Sequence, residues 1–508
     1  MRTRVIVGVI CVILALLGSG AATIVASRGR PSKLPVVVAP PPTASPTRES
    51  VGPTQSVAGE PTSSSLAPAI AAPHPSAPGP RACGTLPPRT PPDPDRPRYS
   101  VRIAIDAAAR TATGSTTIDF TPDIATDRVV VRLWPAAPKA TAAGGAMDPG
   151  PMTVDGVGVA VERPDPTTLV VRRALDAHRT VRISLAAWKI TIPGATTERW
   201  ATAGGAVRLG SFAPLLPWEP GRGWATEAPT LVHGEASTSP TASWDLHASA
   251  VGGADRHRLD VLSGGVIDPA DPTHATFDAV RDIAVAAGTF RFARRSAVVA
   301  GRGAPVPVVV GVDAGVSERP DAYADKAVRS LQQMSARFGP YAFGGYTLAI
   351  TAGLPGGIEY PGFVFAGPNA IGRSTSHEIG HQWFYALVGN DQARDPWLDE
   401  GLATWAEAGY EGTLASFVAR SIPSEARGHA GAPTSYYDTR SGSYYSGVYV
   451  QGTQALAALG PPVEVDCALA AYVAINANRI ATNASLIDAM AARLPGAEAT
   501  LARYGIHR

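Results

Sequence analysis

The sequence predicts an α+β, multidomain protein in which an antiparallel β domain, a sandwich or curved saddle, precedes a mainly helical domain. Three observations lead there. Short alternating apolar runs fill residues 98–295, a helical period replaces them near residue 315, and two histidines stand one helical turn apart at positions 377 and 381. The 508 residues suffice for about two or three domains with large cores. A net charge of +2, with Lys and Arg scattered rather than striped along one element, gives neither a nucleic-acid footprint nor an acidic tail.

Taken in order, Arg2 and Arg4 precede an apolar run at residues 5–26, and Arg28, Arg30 and Lys33 follow it. That is an export signal. The run is long enough to anchor the chain in a membrane, while Ser19-Gly20-Ala21 and Ile24-Val25-Ala26 offer small residues where a peptidase could cut. The folded part is therefore expected outside the cytoplasm, anchored or secreted. Residues 31–97 turn to Pro, Ser, Thr and Ala, too polar to fold and held extended by proline, and read as a disordered spacer. Apart from Cys11 inside the apolar run, only Cys83 and Cys467 remain. They could pair in an oxidising compartment and tether the spacer to the last third of the chain, or Cys467 could simply be a buried helical residue.

Arg98–Ile105, Ser115–Phe120, Arg128–Trp134, Thr168–Arg172, Thr180–Leu185, Ser243–Ala248 and Asp282–Ala287 read as strands, alternating and bounded by turn residues. With no helical crossovers between them, the pairing is expected to be antiparallel throughout residues 98–300. His233, His247, His257 and His274 lie there singly and receive no functional role. Residues 301–508 form the second folded domain. Asp321–Phe338 has helical spacing and stops at Gly339-Pro340, Tyr346–Ile350 reads as a strand, and Val463–Asn476 and Asn483–Arg493 read as helices.

The chemistry gathers in His377-Glu378-Ile379-Gly380-His381, with eighteen residues between His381 and Glu400. If His377–Trp383 is helical, both imidazoles project from one face, four residues apart. With Glu400 from a second helix they make a three-ligand shell with a fourth position for water, the composition of a catalytic site for one zinc ion. Glu378, beside the first ligand and not itself a ligand, is placed to take a proton from that water. Histidines at helical spacing can also be ordinary surface or core residues. The third carboxylate, with Gly401 and Trp405 close behind it, weighs against that. Glu359, in Gly356-Gly357-Ile358-Glu359-Tyr360, is alone no more than a solvated turn residue, but beside a zinc helix it is a candidate anchor for a cation. Asp399 and Thr404 could orient a ligand or pack their helix.

These blocks, with Tyr449-Val450-Gln451-Gly452, resemble the M1 family of zinc aminopeptidases, gluzincins that combine a β-saddle domain with a thermolysin-like catalytic domain. Trp397-Leu398-Asp399-Glu400-Gly401 is close to that family's Trp-Leu-Asn-Glu-Gly. The resemblance implies that His377, His381 and Glu400 ligate zinc, that Glu378 is the general base, and that Glu359 binds the free α-amine of a peptide substrate. It further implies that Tyr449, rather than Tyr444 or Tyr445, donates to the oxyanion, and that Gly356 and Gly357 line the peptide backbone. Tyr360-Pro361 replaces the family's Asn after the amine-binding glutamate, and Val450-Gln451 replaces its Glu-Lys. For a second amine-binding residue Glu219 is conceivable and unsupported. The large C-terminal helical domain of longer members has no counterpart here, which implies a more open cleft. The expected function is an exported zinc aminopeptidase. The alternatives are a zinc endopeptidase and a catalytically silent cell-surface binding protein on a peptidase fold.

Overall fold

The computed structural model describes residues 83–194, 199–230 and 238–508. The apolar run at 5–26, Cys11, most of the spacer and His233 lie outside the described residues. Among those described, no single helix is long and apolar enough to cross a membrane.

The β-rich part is built on strand β1 (Arg98–Asp106), whose alternation sends Tyr99, Val101, Ile103 and Ile105 inward and the residues between them out. It pairs with β2 (Thr111–Phe120), which pairs with β3 (Val181–Thr191); on the other side lie β4 (Ala242–Gly252) and then β5 (His274–Val280). These five form the middle of a ten-stranded sheet. The antiparallel expectation fails at one pair: β1 and β4 run parallel, from Arg98↔Ser243 to Asp106↔Val251. The long chain between them contains other strands, so β4 can return beside β1 in the same direction without a helical crossover. Asp282, expected inside the last strand, precedes it. That strand spans Ala284–Gly288, and the buried Asp282 carboxylate accepts from Ser211 Oγ and the Ile283 N–H.

The second part opens with a five-stranded sheet in the order β6-β7-β8-β10-β9. Its strands are β6 (Phe290–Ala297), β7 (Val306–Asp313), β8 (Tyr346–Ile350), β9 (Gly357–Tyr360) and β10 (Phe363–Ala366). The boundary expected at residue 300 therefore falls inside the β6–β7 hairpin. Helix α1 (Pro320–Phe338) links the parallel strands β7 and β8. It starts with Pro at its first position and Asp321 in its first turn, and it stops at Gly339, whose φ of 96° suits glycine. The longer helices that follow are α2 (Arg373–Gly380), α3 (Trp397–Glu411), α4 (Gln451–Ala457), α5 (Pro462–Asn476) and α6 (Asn483–Ala491).

One buried ion pair joins three of these helices. Arg337 of α1 donates through Nε and Nη2, both at 3.0 Å, to the two oxygens of Asp466 on α5, and Trp405 of α3 donates to the same carboxylate at 2.9 Å. The next residue, Cys467, is both buried and disulfide-bonded to Cys83, which answers the pairing left open by the sequence. Residues 83–97, expected to be free spacer, are held on the folded unit. The Thr90 N–H bonds to the Ala474 carbonyl at 2.9 Å and Asn478 Nδ2 to the Thr90 carbonyl at 2.9 Å. Proline keeps this arm extended, and the residues between the prolines supply the donors and acceptors that fasten it.

Asp466→Ala is expected to lower stability by about 3–5 kcal/mol, because it strands a buried guanidinium. Glu162→Ala, at the exposed Arg172 pair, is expected to leave the urea midpoint where it is. Equal midpoints for the two variants would remove the three-helix junction from the account.

Candidate functional site

His377 lies in α2 and His381 is the residue that caps its C-terminal end. The helix ends at Gly380, short of the expected Trp383, yet the His381 N–H still bonds to the His377 carbonyl at 3.3 Å, so the two rings stay on one face. The chain bends away here because the Phe384 carbonyl turns back to within 3.2 Å of His381 Nδ1, and Tyr385 follows at φ 104°. α3 packs on α2 and presents Glu400 from its first turn. The segment Tyr445–Val450, a π-helical turn ahead of α4, crosses α3 closely because two glycines meet there. A Cβ on Gly401 would lie 3.3 Å from Gly452 Cα, and one on Gly452 would lie 3.1 Å from Gly401 Cα. The crossing lays the Tyr449 ring over His377, with centroids 5.7 Å apart and planes 16° from parallel.

His377 Nε2 lies 3.1 Å from His381 Nε2 and 3.1 Å from Glu400 Oε2, and His381 Nε2 lies 3.4 Å from the same oxygen. Three ligand atoms on one zinc at bond lengths near 2.0–2.1 Å stand about 3.3 Å apart in tetrahedral geometry, so the triangle has the right size. The outer nitrogens point to the same conclusion. His377 Nδ1 faces Glu407 Oε2 at 3.2 Å and His381 Nδ1 faces the Phe384 carbonyl; both partners can only accept, so each Nδ1 bears the proton and each Nε2 turns inward as a donor atom for a metal. Burial disfavours charge on these rings, yet the surrounding carboxylates win. Glu359 and Glu400 lift His381 to about 9, and Glu400, Glu407 and Glu378 raise His377 well above the usual histidine range. The centre therefore attracts a cation, and its nitrogen and oxygen donors fit zinc.

All eight residues singled out by sequence line one cavity of about 300 Å³: Gly356, Gly357, Glu359, His377, Glu378, His381, Glu400 and Tyr449. The two glycines differ in their surroundings. A Cβ on Gly357 would lie 2.4 Å from Glu378 Cγ, so this glycine makes room for the glutamate, whereas a Cβ on Gly356 would meet only Ser374 Oγ at 3.9 Å. Glu378 is buried, and its Oε2 makes no hydrogen bond among the described residues. Burial pushes this carboxyl up to about 8, with Glu359 and Glu400 adding to the rise and both histidines opposing it. Glu359, Glu378 and His381 bring one ligand atom each within 4.8 Å of one another.

The structure also places the other residues that the sequence left open. Glu219 is buried, but with Arg394 and Arg222 and outside this cavity. Tyr444 is buried against Tyr437, whereas Tyr445 shares the cavity with Tyr449. Asp399 accepts from Gln392 at 3.0 Å, and Thr404 Oγ1 bonds back to the Glu400 carbonyl at 2.6 Å within its helix. Two residues the sequence reading passed over support the site. Glu407, which orients His377 and pairs with Arg373, lies seven residues after Glu400 and so two turns along the same face, a spacing that could have disclosed it. Gln382 donates to the Tyr360 carbonyl at 3.0 Å and accepts from the Gly362 N–H at 2.8 Å, locking the hairpin that bears Glu359 to the end of α2.

No family model matches the sequence. Leukotriene A-4 hydrolase of Xenopus laevis is 36% identical over 87 residues, covering 15% of this chain and 14% of that protein. Aminopeptidase B of Rattus norvegicus is 37% identical over 78 residues, covering 14% of this chain and 12% of that protein. The match thus spans about a seventh of the length of these curated relatives or less. Among solved structures, an M1 zinc metallopeptidase from Deinococcus radiodurans aligns over 81% of this chain and 94% of its own, with a TM-score of 0.58 at 19% identity. A mutant of a two-domain M1 zinc metallopeptidase bound to L-tryptophan aligns over 82% and 94%, also with a TM-score of 0.58. The chain has the fold of the M1 zinc metallopeptidases, with a β-rich N-terminal part and a helical part.

Glu407→Gln is expected to weaken zinc binding about 10–100-fold by loosening His377. Competition with a chromophoric chelator measures this, and an unchanged affinity would relieve Glu407 of the role.

Proposed function

We propose that the protein is an exported zinc-dependent aminopeptidase that removes N-terminal residues from peptides, with one zinc held by His377, His381 and Glu400. In this reading the β-rich part corresponds to the β-saddle of the M1 family and the second part to its thermolysin-like domain. Residues 5–26 serve as export signal or membrane anchor. The observation behind it is the meeting, in one cavity, of a three-donor metal centre, a buried carboxylate whose Oε2 has no hydrogen bond among the described residues, and a second carboxylate beside it. A solved structure of this fold bound to a Tyr-Ser-Ala substrate supports peptides as the substrate class.

When bound, zinc supplies a Lewis acid that polarises the scissile carbonyl and acidifies water beside it. The chain's own groups do the rest. Glu378, buried beside the metal centre with its Oε2 free of hydrogen bonds among the described residues, takes the proton of the attacking water and passes it to the leaving amine nitrogen. The Tyr449 hydroxyl donates to the carbonyl oxygen as charge develops there, a contribution whose loss typically costs about 10²–10³-fold in rate. Glu359 accepts the protonated N-terminus, and its closeness to Glu378 leaves little room for residues ahead of the cleaved bond. The open side of Gly356 admits the peptide backbone.

Hydrolysis of free and N-acetylated peptides by the full chain, with and without chelator, tests the reading. Chelator-sensitive cleavage confined to free N-termini is expected, falling about 10²–10⁴-fold in Glu378→Gln. Glu359→Ala is expected to impair unblocked substrates selectively. Cleavage of acetylated peptides would replace the proposal with an endopeptidase, and silence with zinc fully bound would replace it with a binding protein on a peptidase fold.

A further inference from the structure

Two histidines that stand far apart in the sequence are neighbours in the β-rich part. His247 on β4 pairs directly with His274 on β5, and their rings stack with centroids 4.4 Å apart and planes within 4°. Asp245 lies two residues before His247 and so on the same face of β4. Its carboxylate faces both rings: Oδ1 is 3.5 Å from His247 Nε2 and Oδ2 is 3.3 Å from His274 Nε2. The opposite ring nitrogens face other carboxylates, His247 Nδ1 lying 3.9 Å from Asp271 and His274 Nδ1 lying 3.5 Å from Asp268. Those two aspartates are fixed by their own turn. Asp268 accepts from the Ala270 N–H at 2.8 Å, and Asp271 accepts from the Thr273 N–H at 2.9 Å.

A single surface His–Asp pair would be only an ion pair. Here one carboxylate faces both Nε2 atoms while separate carboxylates stand on the Nδ1 side of each ring, and one ligand atom from each of Asp245, His247 and His274 lies within 4.8 Å of the other two. We infer that Asp245, His247 and His274 form a second site for a divalent transition metal of the zinc, nickel or copper type, clipping β4 to β5. The ion draws the two Nε2 ends together and tilts the rings out of their parallel stack. The side chains are 50%, 29% and 22% exposed, which leaves room for water as the remaining ligand. Among the described residues no buried carboxylate like Glu378 stands beside this site, where Asp268 and Asp271 are partly exposed and already hold their own turn, and its role is structural. The inference does not depend on the peptidase reading.

The test is a metal count on the full chain, stripped with chelator and titrated with Zn²⁺ by calorimetry, with Co²⁺ absorption as a second readout. Wild type is expected to bind two equivalents. His247→Ala and His274→Ala are each expected to bind one and to keep the wild-type activity, whatever that activity is, while Asp245→Asn, which keeps the side-chain shape, weakens the second equivalent. His377→Ala is expected to lose the other equivalent. Metal binding indifferent to His247→Ala, His274→Ala and Asp245→Asn, whatever the wild-type count, would overturn the assignment, whereas a single equivalent lost in those variants would overturn only the His377 centre.

Discussion

The atoms His377 Nε2, His381 Nε2 and Glu400 Oε2 converge to 3.1–3.4 Å in a buried space that Glu359, Glu378 and Glu407 also enter. Desolvating that many carboxylates costs several kcal/mol per ion unless the charges are paired, so the centre is favourable only around a cation and only if its walls resist spreading. The helices provide that resistance. Three buried tryptophans tie the two ligand-bearing helices to their neighbours, each through its indole N–H. Trp383 just after α2 bonds to the Gly339 carbonyl, Trp397 of α3 to Asn483, and Trp405 of α3 to Asp466. Each buries a large apolar ring and still satisfies its polar atom, which joins packing to geometric precision at the point where the ligands need it.

The β-rich part contributes to the same centre without entering it. Glu219 pairs with Arg394, which also pairs with Asp391, and between those two residues stands Gln392. Gln392 reaches Asp399 at 3.0 Å and Glu359 at 3.4 Å, so the loop that steadies Glu359 is gripped from outside by a charge network rooted in the β-rich part. Glu219 is thus joined to the site through Arg394 and the Asp391–Gln392 loop. This explains why a buried glutamate outside the cavity belongs in a functional account of it.

What the sequence disclosed follows from the range of the interactions. His377, Glu378 and His381 are readable because one helical turn fixes their relation, and Glu400 because its spacing from them is short and its setting distinctive. The inward alternation of β1 is local too. Readability failed where partners are distant: nothing in the chain order announces that β1 and β4 run parallel or that His247 lies opposite His274, and the Cys83–Cys467 pairing could be offered only as one of two alternatives. Glu407 was within reach, seven residues from Glu400 on the same helical face, but that spacing acquires meaning only once His377 Nδ1 is known to need a partner. The Gly401–Gly452 contact is a middle case. Both glycines are visible in their motifs, while the reason for them, the close crossing that brings Tyr449 over His377, needs two helices on the page.

The two histidine clusters obey one rule and differ in one respect. In both, the Nε2 atoms face a shared carboxylate, across one helical turn in one case and across two strands in the other, with the Nδ1 atoms hydrogen-bonded at His377 and His381 but 3.5–3.9 Å from a carboxylate at His274 and His247. At His377 and His381 the surroundings are buried, and Glu378 stands beside them with an oxygen free of hydrogen bonds among the described residues, which is the arrangement the proposed function draws on. At His247 and His274 the groups remain partly in water and the nearby aspartates already hold turns, so an ion can be bound but has no proton acceptor poised to use it. Ligand type decides that a metal is held; burial and a free base decide whether it does chemistry.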